Sequence, residues 1–118
     1  MQKILRLKDL PDPGSARLSF AGDNYGHGAC VVRRGDEVFA YLNRCPHTGG
    51  PMDWVEGRFL SVDGDLIQCS LHGALFRIQD GRCLSGPCAG QYLTKMAVVL
   101  DDEVITLPDS DPETGSFS

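Results

Sequence analysis

The chain has 118 residues, of which 42% are hydrophobic and 23% are charged, and its formal net charge is −5. This size and balance fit a single folded domain, and the acidic charge argues against a nucleic-acid-binding surface. No apolar run is long enough to cross a membrane, and the first residues lack the apolar core of a signal peptide, so we expect a soluble, cytoplasmic protein.

Short segments rich in β-branched and aromatic residues recur between turn signals. In chain order, the predicted strands span residues 1–7, 16–20, 29–34, 37–43, 66–69, 74–79, 93–100 and 103–107. Turns are predicted at Gly35-Asp36, Asp80-Gly81 and Asp101-Asp102. No segment combines a helical period with caps, so the sequence predicts an all-β fold, a small antiparallel sandwich or barrel. We expect one domain over residues 1–108 and a mobile acidic tail over 109–118.

Two short motifs combine cysteine with histidine: Cys45-Pro46-His47 and Cys69-Ser70-Leu71-His72. Each motif follows a predicted strand and is followed by small residues that include glycine, which permits tight loops and a close approach of the backbone. The chain has five cysteines, an odd number that fits a disulfide framework poorly and makes a metal site the better interpretation.

Two metal groups can use two cysteines and two histidines. A structural zinc site usually places its two cysteines close together in sequence and its two histidines close together. Here each motif mixes one cysteine with one histidine. A 2Fe–2S cluster explains the mixture, because one iron takes both thiolates and the other takes both imidazoles.

At these motifs the sequence resembles the Rieske-type ferredoxins, whose pattern is Cys-X-His followed, after a gap, by Cys-X-X-His. The resemblance runs from about residue 3 to 107, with the cluster-binding part over about 44–90. It implies a Rieske 2Fe–2S cluster on Cys45, His47, Cys69 and His72, with the cysteines on the inner iron and the histidines on the outer one. The stretch Gly86-Pro87-Cys88-Ala89-Gly90 resembles the third loop of the family, which covers the cluster.

Departures from the high-potential members of the family indicate the kind of Rieske protein. Those relatives carry a disulfide between the cluster loops, where this chain has Gly50 and Leu71. They also carry a serine and a tyrosine whose hydroxyls bond to sulfur, where this chain has Ala74 and Phe76. Hydrogen bonds to sulfur stabilise the reduced cluster, so their loss predicts a low reduction potential, roughly −150 to 0 mV.

With its predicted low reduction potential and its small size, the chain resembles the ferredoxins of bacterial ring-hydroxylating dioxygenase systems. The resemblance implies an electron carrier rather than an enzyme, with a flavin-dependent reductase as donor and a terminal oxygenase as acceptor. Two alternatives remain at this point: the Rieske-type small subunit of an assimilatory nitrite reductase, which would pair with the large subunit, and a cluster-based redox sensor.

The other cysteines and the third histidine receive structural interpretations. Cys30 lies in an apolar strand pattern and is expected to be a buried packing residue. Cys83 and Cys88 are expected to be packing thiols rather than a disulfide. His27 lies between glycines and is expected in a loop or at the surface.

Overall fold

The computed structural model describes residues 4–20, 23, 26–46, 50–53, 57–69, 73–87 and 89–107. Within these ranges the chain forms one short 3₁₀ turn, Leu7–Asp9, and antiparallel β-strands arranged in three-stranded sheets. The all-β prediction is therefore confirmed. The strands are β1 Ile4–Arg6, β2 Gly14–Leu18, β3 Ala29–Arg34, β4 Glu37–Leu42, β5 Leu66–Gln68, β6 Leu75–Arg77, β7 Cys83–Ser85, β8 Val99–Asp101 and β9 Val104–Thr106.

We name the sheets by their place in the chain. The terminal sheet has the order β1-β9-β8, the middle sheet β2-β3-β4 and the hairpin sheet β5-β6-β7. In the described part of the chain no helix has the length and hydropathy needed to cross a bilayer.

The middle sheet is buried on both faces, which explains the unbroken apolar run at the start of β3. Cys30 and Val32 pack into one core cluster, together with side chains of the hairpin sheet such as Phe76. Ala29 and Val31 point the other way into a second core cluster, which contains Ile105 of the terminal sheet. The middle sheet thus separates two cores, and the first of them contains both motif cysteines.

Tyr41 of β4 ties the middle sheet to the hairpin sheet. Its hydroxyl donates a hydrogen bond of 2.6 Å to the carbonyl of Ile78, just after β6. Burial, with smaller contributions from the charges of Asp80 and Cys30, raises the pKa of Tyr41 to about 12. The hydroxyl therefore stays protonated, and it remains a hydrogen-bond donor at any physiological pH.

The structure differs from the sequence prediction mainly after residue 80. β7 was not predicted, because two of its three residues are exposed and the segment has no alternating apolar pattern. The predicted strand over 93–100 is shorter in the structure, which has β8 at Val99–Asp101. The predicted tail, 109–118, lies outside the described residues.

The turn between β8 and β9 offers a stability test. Asp102 and Glu103 have φ angles of 52° and 62°, in the left-handed region that glycine and asparagine tolerate best. Asp102→Asn with Glu103→Gly should therefore raise the free energy of unfolding by about 1 kcal/mol. Thermal unfolding monitored by circular dichroism measures the change, and an unchanged midpoint would argue against strain in this turn.

Candidate metal centre

Cys45 starts a tight loop that follows β4. Its side chain is buried, with the residue only 1% exposed. Its backbone N–H donates a hydrogen bond of 2.8 Å to the carbonyl of Gly50. This bond joins the two end residues of the segment 45–50, which we call the first loop. The candidate ligand His47 belongs to this loop but lies outside the described residues.

Cys69 starts a second loop with the same closure. It follows β5 directly and is fully buried. Its N–H donates to the carbonyl of Ala74 at 2.9 Å, and Gly73 donates back to the carbonyl of Cys69 at 2.9 Å. Residues 69–74 form this second loop, which joins the paired strands β5 and β6. The candidate ligand His72 lies outside the described residues.

The two loops fit a group that takes one thiolate from each. Both begin with a cysteine whose N–H bonds to the carbonyl five residues later, and both cysteines belong to the same buried core. Neither forms a disulfide. A thiolate is costly to bury alone and is stabilised by bound metal, so two buried cysteines at the heads of matching loops suit the thiolate side of a Rieske cluster.

A third loop packs against the second. Gly86 has a φ of +107°, and a Cβ added there would lie 2.9 Å from the Cα of Ala74. The base of the third loop is held by Gly90, which donates to the carbonyl of Cys83 at 3.0 Å, and by Cys83, which donates to that of Gln91 at 2.7 Å. Gly86, the first residue of the third loop, therefore lies against the residue that closes the second loop.

Two apolar side chains occupy the positions where hydroxyl groups were considered. Ala74 and Phe76 are fully buried in the core that contains Cys45 and Cys69. Neither side chain has a hydrogen-bond donor. Leu71, the other departure at the second loop, lies outside the described residues.

A buried polar network lies beside the first loop, and the sequence analysis did not identify it. The Asp53 carboxylate accepts hydrogen bonds from Arg17 at 2.9 and 2.8 Å, from Asn43 at 2.7 Å and from the N–H of Gly57 at 2.9 Å. Burial alone would raise the pKa of Asp53, but these hydrogen bonds outweigh it and hold the pKa below its usual value. The carboxylate is therefore ionised at neutral pH.

The sequence pattern does not predict this network. Its members come from β2, from the residue after β4 and from the segment after the first loop, so they lie far apart in the chain. The one hint in the sequence is an acidic residue, Asp53, within an otherwise apolar stretch, and it does not indicate which residues donate hydrogen bonds to it.

The remaining candidates are placed as follows. Cys30 is fully buried, and burial, with a smaller contribution from the charge of Asp53, raises the pKa of its thiol well above the usual value, as suits a packing residue. Cys83 is buried, and its thiol donates a hydrogen bond of 3.3 Å to the carbonyl of Ser85. Cys88 lies outside the described residues. His27 is half-buried before β3, and its carbonyl accepts a bond of 3.0 Å from Asn43.

Comparisons with known proteins agree with this arrangement. The family model of the Rieske [2Fe-2S] domain matches residues 1–108. Ferredoxin CarAc of Metapseudomonas resinovorans is 38% identical over 58 residues, which cover 49% of this chain and 50% of that protein. The 3-phenylpropionate/cinnamic acid dioxygenase ferredoxin subunit of Photorhabdus laumondii is 26% identical over 101 residues, covering 86% of this chain and 88% of that protein.

A solved structure extends the match to three dimensions. The ferredoxin of carbazole 1,9a-dioxygenase from Nocardioides aromaticivorans IC177 superposes with a TM-score of 0.67 and 25% identity, covering 92% of this chain and 96% of that chain. The chain therefore belongs to the Rieske [2Fe–2S] domain family, and the relatives named here are ferredoxins, the electron-transfer components of dioxygenase systems.

Proposed function

We propose that this ferredoxin takes single electrons from a flavin-dependent reductase and delivers them to the terminal oxygenase of a ring-hydroxylating dioxygenase system in the cytoplasm. The similarity to ferredoxin components of dioxygenases supports this proposal. The observation that carries it is the pair of matching loops, each headed by a buried cysteine, in a fold shared with such a ferredoxin.

The proposed ligands are Cys45, His47, Cys69 and His72. The cluster supplies a site that gains or loses one electron at a time. The chain holds the two thiolates in its core, where burial keeps water away from them. The two histidines are proposed to face outward, so that a partner approaches the iron they bind. Redox partners need only a small, weak interface for such a transfer.

The absence of hydroxyl donors at Ala74 and Phe76 supports a potential in the lower part of the Rieske range. Both side chains are buried beside the cysteines, so no protein hydroxyl at these positions stabilises the reduced cluster. We expect a midpoint of roughly −150 to 0 mV. Phe76→Tyr, which adds one hydroxyl in this core, should raise it.

The test begins with the purified wild-type protein. Electron paramagnetic resonance of the dithionite-reduced sample should give the rhombic, low-average-g signal of mixed cysteine and histidine ligation, and a redox titration should give the midpoint above. A spectrum typical of four cysteine ligands, or a strongly positive midpoint, would contradict the proposal.

The partner is tested separately. The reduced protein, mixed with a flavin-dependent reductase and the terminal oxygenase of a ring-hydroxylating dioxygenase, should support NADH-dependent hydroxylation that ceases when the ferredoxin is omitted. If electrons instead pass only to a nitrite reductase, the carrier role stands and the proposed acceptor is wrong.

A further inference from the structure

The two cysteine loops are held in different ways. The second loop joins β5 to β6, whose residues pair in register from Leu66 and Arg77 up to Gln68 and Leu75. Its two ends are thus fixed by a backbone ladder. These paired strands therefore restrict the displacement of Cys69.

The ends of the first loop run to different sheets. Before the loop, β4 pairs with β3 in the middle sheet. After it, the chain reaches the hairpin sheet, where Leu60 bridges to Ile67 and the N–H of Gln68 donates to the carbonyl of Phe59. Among the described residues, the one backbone bond that joins the two ends is that from Cys45 to Gly50. Backbone pairing alone therefore constrains this loop less than the second.

Side chains join the two ends of the first loop instead. Asn43, two residues before Cys45, accepts the N–H of Met52 at its Oδ1, at 2.7 Å. Its Nδ2 donates to Oδ1 of Asp53, also at 2.7 Å. Asn43 is fully buried, and both bonds are shielded from water. The amide thus connects one end of the loop to two consecutive residues of the other.

Asp53 fixes the orientation of that amide. Its second oxygen accepts Arg17 Nε and the N–H of Gly57, so the carboxylate connects β2 to the segment after the loop. The Asp53 side chain is fully buried and that of Arg17 is 26% exposed, so the pair is largely desolvated. With all four of its bonds donated to it, the carboxylate has little freedom to turn.

We propose that Asp53, acting through Asn43 and Arg17, is a positioning residue that sets the geometry of the first loop and therefore of the cluster it holds. The inference rests on the proposed ligand role of Cys45. Asp53 is not a proposed metal ligand. Its hydrogen bonds act on the segments that enter and leave the first loop.

Asp53→Asn is the direct test. Whichever oxygen the new NH₂ group replaces, it would face two donors, one from Arg17 and one from either Asn43 or Gly57. At least two of the four bonds must therefore break, while the side-chain volume is almost unchanged. We expect cluster loss, followed as bleaching of the visible absorbance in air, to be about 10-fold faster or more. We also expect shifted or broadened g values in the spectrum of the reduced protein. That spectrum reports only molecules that hold a cluster, so a general loss of stability would not change it.

Two controls separate positioning from ordinary stabilisation. Asp80 accepts Arg77 through both oxygens, at 3.0 and 2.6 Å, and also the N–H of Arg82, but this network is exposed at the far end of β6. Asp80→Asn breaks a similar network away from the loops. Ser15→Ala removes bonds to Gly57 and Phe59, and so weakens the segment after the first loop without changing its ends. Both variants should keep the wild-type spectrum and lose the cluster within twofold of the wild-type rate.

The proposal is overturned if Asp53→Asn keeps the wild-type spectrum and loses the cluster no faster than Ser15→Ala. If Asp53→Asn does not fold, Arg17→Lys replaces it, since lysine keeps the charge but not the two-bond geometry. A wild-type spectrum with a wild-type rate in Arg17→Lys would also overturn it. These measurements need no partner protein. If the wild-type protein gives no Rieske spectrum, the proposed ligands are wrong. If it fails to reduce an oxygenase, the proposed acceptor is wrong, but the result on the positioning role of Asp53 is unaffected.

Discussion

A Cys69→Ser variant should purify without iron, sulfide or visible absorbance. Cys69 is fully buried and heads the second loop. A serine hydroxyl is not deprotonated at neutral pH and is a poor ligand for an iron that binds two thiolates. The expected result is loss of at least about nine-tenths of the bound iron, because one of the two proposed thiolate ligands is removed. Cys45→Ser should behave in the same way.

The same core provides matched controls. Cys30 is as deeply buried as Cys69 and belongs to the same cluster of side chains, but it lies within β3 rather than at a loop. Cys30→Ala should retain the full iron content and lower the free energy of unfolding by about 1 kcal/mol. Iron and sulfide analysis decides the matter. Full iron content in Cys69→Ser, or loss of iron from Cys30→Ala, would show that the ligand set is wrong.

Gly86→Ala should destabilise the protein more than any other single methyl addition in the third loop. Its φ of +107° is strained for any residue with a side chain, and the new Cβ would lie 2.9 Å from the Cα of Ala74. Ala74 closes the second loop through its carbonyl and cannot retreat without opening it. Backbone strain and steric overlap together should lower the free energy of unfolding by about 2–4 kcal/mol. The third loop should then move away from the second.

Gly90→Ala isolates the effect of the contact. Gly90 lies in the same loop with a φ of +90°, but a Cβ there would meet no atom within 4 Å. This variant should lose only the conformational part, about 1–2 kcal/mol. The thermal midpoint of Gly86→Ala should therefore fall at least about 4 °C further than that of Gly90→Ala at the same scan rate. Equal midpoints would mean that the third loop does not pack tightly on Ala74.

Local sequence pattern was sufficient, to within one residue, for β3 and β4 of the middle sheet, whereas β2 lies at Gly14–Leu18 rather than at the predicted 16–20. β3 begins and ends at the predicted residues, 29 and 34, because an apolar run bounded by a glycine-containing turn specifies a buried strand without help from distant contacts. The turn at Gly35-Asp36 was predicted for the same reason. Farther along the chain the turn between β8 and β9 is shifted by one residue, to Asp102 and Glu103, because Asp101 pairs with Val104.

Chain order also indicated which residues would head the two loops. Cys45 and Cys69 each follow a strand, and the structure buries both in one core, as a shared metal group requires. The histidines of the two motifs remain predicted ligands.

The sequence by itself determined the all-β class, the strands β3 and β4 and the two cysteine–histidine motifs, since these depend on neighbours in the chain. Only the tertiary structure decided how the first loop is held. Asn43, Asp53 and Arg17 come from three separate segments, and Arg17 lies 36 residues from Asp53. No local pattern encodes such a network, because the cost of burying the Asp53 charge is offset only by hydrogen-bond partners that meet when the sheets pack.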